Sequence, residues 1–134
     1  MAREYQTEVW GACLPDGWQA KEIDGQAHVA FFRPDASEEI RVLATDDEDR
    51  SDQHLQCNYP EENTEITNFQ GKLPGRTRAW IYQNTVCRVW KLFFPGGTLY
   101  VRYRGNARYP QLKDWEIEGI VQSLTGSLEN RREE

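Results

Sequence analysis

From Gly71 to Lys113 the chain has no aspartate or glutamate, although nine lysines and arginines fall in the same span. The acids gather elsewhere: eleven lie between Asp35 and Glu65, against only Arg41 and Arg50. Glycine is missing between Gly25 and Gly71. That gap excludes an EF-hand loop at the acidic cluster Asp46, Asp47, Glu48, Asp49 and Asp52, since such a loop turns on a central glycine. The three cysteines, Cys13, Cys57 and Cys87, are odd in number and have no metal-ligand spacing. They fit a reduced, cytoplasmic compartment. The only histidines, His28 and His54, belong to no Ser/His/Asp or Cys/His motif. No run approaches the roughly 20 apolar residues of a membrane span, and Met-Ala-Arg-Glu-Tyr-Gln lacks the apolar core of a signal peptide. The expectation is a cytoplasmic protein without a membrane partner.

What is present suits a folded domain. The 134 residues are 38% apolar and 12% aromatic, enough for one core despite 28% charged residues. One domain is expected over residues 1–134, with its core at about 5–126 and a solvated tail over 127–134. The net charge of −6 disfavours a general nucleic-acid binder, although the local basic span leaves that reading open.

Alternation predicts a strand over Tyr5–Leu14, stopped by Pro15-Asp16-Gly17. Trp18–Ile23 and Ala27–Phe32 flank the turn signal Asp24-Gly25. Glu39–Thr45 reads as a strand with the apolar core Ile40, Val42 and Leu43. Residues 46–62 are polar, with Leu55 and Tyr59 as anchors, and fit a short helix near Glu48–Cys57 or a loop. Ile66 and Phe69 mark a short strand, and Arg76–Tyr82 another. Thr85–Phe94 and Thr98–Arg104 make a hairpin around Pro95-Gly96-Gly97, a turn rather than a phosphate-cradling loop. Ile117, Ile120, Val121 and Leu124 then form one helical stripe, which Leu128 could extend and Gly126 closes. The fold class is α+β: seven or eight antiparallel strands whose open apolar face is covered by the C-terminal helix.

Two charged groups are candidate binding residues. Arg102 and Arg104 project from one face at i, i+2 spacing, with Arg88 near them if the register allows. Planar guanidinium groups in a row suit carboxylates or phosphates, unless they serve as a solvated face or pair with the chain's own acids. The acids from Asp46 to Asp52 would instead meet a basic partner, and they are taken as the docking side because no other role for them is legible. Of the five tryptophans, Trp10, Trp18, Trp80 and Trp90 fall at core-like strand positions. Trp115 precedes the apolar stripe and is expected to be partly exposed. Cys87, in an apolar strand, reads as packed rather than reactive.

Several segments carry a family resemblance. Leu14-Pro15-Asp16-Gly17-Trp18 resembles the LP-x-GW opening of small PsbP-like domains. Arg88-Val89-Trp90-Lys91-Leu92 is similar to an R-x-W-x-L strand, and Ile120-Val121-Gln122-Ser123-Leu124 to a terminal I-x-x-S-L helix. The resemblance spans roughly Trp10 to Leu124. It implies the PsbP-like fold and non-catalytic binding of another protein, and in bacteria an immunity protein facing a toxin or a chaperone for a secreted effector. No cofactor and no enzymatic activity are expected. The alternative is a binder of anionic ligands or nucleic acid through the basic sheet.

Overall fold

A computed structural model of the chain describes residues 3–47, 55, 65–108 and 112–126. The strands are β1 (Arg3–Gln6), β2 (Trp10–Leu14), β3 (Gln19–Asp24), β4 (His28–Phe32), β5 (Glu39–Thr45), β6 (Thr67–Gln70), β7 (Pro74–Tyr82), β8 (Thr85–Phe94) and β9 (Gly97–Asn106). The helix α1 (Asp114–Ser123) follows, then a short strand β10 (Thr125–Gly126). Seven strands form one antiparallel sheet in the order β3-β4-β5-β9-β8-β7-β6, and β1-β2-β10 form a second sheet.

Two-residue turns set the longest hairpins. Gln83 and Asn84 both have positive φ, 49° and 66°, the requirement of a type I′ turn whose twist matches paired strands. Pro95 then fixes its own φ, and Gly96 takes the positive φ of 91° that follows it. These turns align Tyr82 with Thr85 and Phe94 with Gly97, which fixes the register of β7, β8 and β9.

Strand parity separates two faces of the large sheet. Ile40 and Val42 of β5, Leu99, Val101 and Tyr103 of β9, and Trp90, Leu92 and Phe94 of β8 share the inner face and are buried. Against them lie Ile117, Ile120, Val121 and Leu124, all at 1% exposure or less. Asp114 and Glu116 place negative charge in the first turn of α1, where the helix dipole favours it.

The helix covers this apolar face as expected, and the small sheet shares that duty with it. Tyr5–Leu14 is not one strand. Thr7 Oγ1 accepts from the backbone N–H groups of Val9 (3.1 Å) and Trp10 (2.9 Å), folding the segment into the β1–β2 hairpin. Trp10, Ala12 and Leu14 then join the core, with Trp10 edge-on to Phe31 at 5.8 Å. The helix ends at Ser123 rather than near Gly126, which pairs with Trp10 in β10. Leu43 leaves the inner set as well, because Val42 beside it points inward and alternation turns Leu43 out, 42% exposed. The helix-or-loop alternative near Glu48–Cys57 and the extension of the stripe to Leu128 lie outside the described residues.

Candidate functional site

The outer face of the large sheet carries a half-open cleft of about 590 Å³. Its cations come from neighbouring strands: Arg41 from β5, and Arg102 and Arg104 from β9. Tyr100, Leu43 and Trp80 supply apolar walls, and Cys87 and Val89 of β8 lie between them. Leu55 is 1% exposed, bearing out its role as an anchor, and its carbonyl accepts a hydrogen bond from Arg78 Nη1 at 3.1 Å.

The arginines differ in how they are held. Arg41 Nε donates to Glu39 Oε1 at 2.5 Å. Arg102 stands directly across from Arg41 in the β5–β9 ladder, and Arg104 across from Glu39, whose carboxylate is held by Arg41. Arg102 and Arg104 are exposed, and neither makes an ion pair or hydrogen bond with a described residue. Lys91, directly across from Tyr100 in the β8–β9 ladder, is fully buried, its ammonium 5.6 Å from the centre of the Tyr100 ring.

Arg88 does not belong to this row. The register pairs Arg88 with Tyr103, while Cys87 and Val89 meet Arg104 and Arg102, so Arg88 points to the inner face. There its guanidinium pairs with Glu118 of α1 and stacks on Trp90, 4.7 Å from the ring centre. The Trp90 indole N–H is buried without an acceptor among the described residues, an arrangement that costs about 1–3 kcal/mol.

Among the acids, Asp46 and Asp47 follow directly on β5; Glu48, Asp49 and Asp52 lie outside the described residues. Thr98 Oγ1 donates to the Asp47 carbonyl at 2.6 Å, which places Asp47 at the Thr98 end of the cleft. Arg102 lies four residues further along β9, so about 13 Å separates the two ends. Asp46 borders a different hollow with Glu8 and Trp10. Trp115 stands apart from both, 68% exposed in the first turn of α1. Of the other tryptophans, Trp10, Trp18 and Trp90 are in the core, whereas Trp80 is half-buried and lines the cleft. His28 also borders the cleft, and Cys87 is buried, 6% exposed.

Sequence reasoning missed the part played by Leu43, Arg41 and Tyr100. The signal was available as parity: Arg102, Arg104 and Tyr100 alternate on β9, and Arg41 and Leu43 on β5. What the sequence withheld was that β5 and β9 are neighbours.

A second polar cluster is structural. The Tyr103 hydroxyl donates to the buried Glu38 carboxylate, which also accepts from Leu112 N at 3.4 Å. Burial, and then this bond, push the Tyr103 phenol well above its ordinary pKa of 10.0. Tyr103→Phe is expected to cost about 1.5–3 kcal/mol, since it strips a donor from a buried carboxylate. In the wild type, Tyr103 contributes stability in full below about pH 10 and loses it as pH rises further, because the unfolded phenol ionises first. Urea unfolding between about pH 9 and 11 should therefore show a shallower decline in the Phe variant. Equal stability of the two proteins at neutral pH would show that the bond contributes nothing.

No protein-family model matches the chain, and no curated protein matches it. Solved structures do. CyanoP, the cyanobacterial PsbP of a Synechocystis species, superposes with a TM-score of 0.62 at 10% identity, over 94% of this chain and 92% of that one. A crystal structure from Bacteroides thetaiotaomicron gives 0.59 at 13% identity, over 92% of this chain and 48% of the other. This chain thus spans about half the length of that second protein. Identities this low carry the architecture and nothing finer. The chain has the PsbP-like fold.

Proposed function

We propose that this chain is a non-catalytic protein-binding module that docks its partner on the outer face of the large sheet. The observation that carries this reading is the pair Arg102 and Arg104, exposed in a cleft and unpaired among the described residues. Like charges placed directly across a ladder are destabilising, and Arg102 faces Arg41 in that way. Glu39 offsets the charge of Arg41, and an acidic partner would offset that of Arg102 and Arg104. The docking side is therefore the arginine row, rather than the acidic strip favoured from sequence. In the form that the resemblance implies, the partner is a toxin or a secreted effector, and the setting is the bacterial cytoplasm. Nucleic acid is the second reading, supported by the same guanidinium groups and opposed by the net charge of −6.

Charge reversal separates these readings. Arg102→Glu combined with Arg104→Glu is expected to weaken the protein partner's affinity about tenfold or more, while Asp46→Lys with Asp47→Lys changes it by no more than about twofold. The partner would be recovered by affinity capture on the wild-type chain and the affinities measured with both purified proteins. Wild type should not bind duplex DNA or RNA at physiological salt. An affinity for nucleic acid that falls steeply with salt and vanishes in the arginine variant would favour the second reading. A partner held equally by both variants would sink charge-directed docking and shift attention to Trp115.

A further inference from the structure

The floor of the cleft has an order. On β9 the outward positions run Arg104, Arg102, Tyr100 and Thr98, and the last holds the carbonyl of Asp47. Leu43 stands opposite Tyr100. The floor therefore runs from two guanidinium groups, across an apolar step, to Asp47, an acidic residue lining its far end.

Resting on the docking reading above, we propose that this cleft receives an extended acidic segment of the partner, with carboxylates at two alternate positions seated on Arg102 and Arg104 and the next apolar side chain over Tyr100 and Leu43. The spacing argues for it. Side chains two residues apart on a strand lie about 7 Å apart on one face, and an extended peptide repeats that distance with its own alternate side chains. Adjacent carboxylates on such a peptide point to opposite faces, so only one would reach an arginine. Each guanidinium can then take a carboxylate bidentately. A cavity of about 590 Å³ falls in the usual range for ligand sites. The order of the floor also selects a peptide over a polyanion. A nucleic-acid strand long enough to fill the cleft would bring phosphates onto Asp47, whereas a peptide can be acidic at one end and apolar at the other.

Two pentapeptides of one composition test this against the full chain. The first is acetyl-Glu-Val-Glu-Leu-Phe-amide, with alternate acids; the second is acetyl-Val-Glu-Glu-Leu-Phe-amide, with adjacent ones. Titration followed by NMR is expected to show about tenfold tighter binding of the first, with shifts at the Arg102 and Arg104 side chains and the Trp80 indole. Arg104→Gln should remove about tenfold of that affinity, and Arg76→Gln, which is bonded to Asn68 and lies outside the cleft, should leave it unchanged. Equal affinity for the two peptides overturns the alternate-acid assignment while the docking reading stands. Absence of any shift at Arg102 and Arg104 with millimolar peptide overturns the proposal, as does inorganic phosphate competing as well as the first peptide. The docking reading fails on a different result: an intact protein partner that still binds the chain carrying both Arg→Glu changes.

Discussion

Replacing Ile120 with aspartate is expected to abolish cooperative folding at room temperature. Ile120 has no exposed surface and sits mid-stripe between Ile117, Val121 and Leu124, over the inner face of the large sheet. The substitution removes about 1.5–3 kcal/mol of side-chain burial. It also places a carboxylate where no partner exists, which costs several kcal/mol more or forces the group to stay protonated. Domains of this size are typically stable by about 5–15 kcal/mol, so the two effects together reach the scale of the whole. Trp115→Asp is the matched control on the same helix. That position is 68% exposed and in the first turn, where an acid is tolerated, and the expected change is within about 1 kcal/mol. Circular dichroism during urea unfolding measures both. A wild-type transition in Ile120→Asp would show that this helix does not close the core.

The helical stripe was legible because its period is local. The same is true of β5 and β8, whose observed bounds, Glu39–Thr45 and Thr85–Phe94, coincide with those read from apolar runs and turns. Elements whose character depends on a distant partner were not legible. Tyr5–Leu14 alternates well enough for one strand, yet a single threonine hydroxyl breaks it at Thr7 and sends its two halves into a separate sheet. Gly126 looks like a helix stop until it is seen pairing with Trp10, more than a hundred residues earlier in the chain.

The candidate site shows the same division. Arg102 and Arg104 could be put on one face from spacing alone. Whether Arg88 joined them depended on a register set by the two-residue Pro95-Gly96 turn, and that register turned it inward. The cleft itself exists because β9 returns to pair with β5 across three intervening strands, which brings Arg41 and Leu43 beside Arg102 and Tyr100. Such long-range pairing leaves no mark in a window of ten or fifteen residues.

Glu116→Ala is expected to be more damaging than removing either acid of the Arg41–Glu39 and Arg88–Glu118 pairs, at about 3–5 kcal/mol. Glu116 looks in the sequence like any acid of a helix's first turn, but it is only 6% exposed. Its Oε2 accepts from the Trp18 indole N–H at 2.9 Å, and Arg33 Nη1 lies 3.1 Å from Oε1. The carboxylate thereby ties together the turn before β3, the loop after β4 and the start of α1. Alanine leaves a buried indole donor without an acceptor and a guanidinium, 22% exposed, without its inner counter-charge. Asp35 can satisfy only part of that guanidinium. Glu116→Gln keeps an acceptor for Trp18 and loses only the charge, so it should cost less than half as much. A cycle pairing Glu116→Ala with Arg33→Ala should be non-additive by about 1 kcal/mol or more, with the double variant milder than the sum. Strict additivity would mean that the two groups do not stabilise one another. Because this network and the Arg102–Arg104 row lie on opposite sides of the large sheet, the folded Glu116→Gln protein should bind its partner as the wild type does. Stability would then fall with no change in recognition, the reverse of what is expected for the arginine variants.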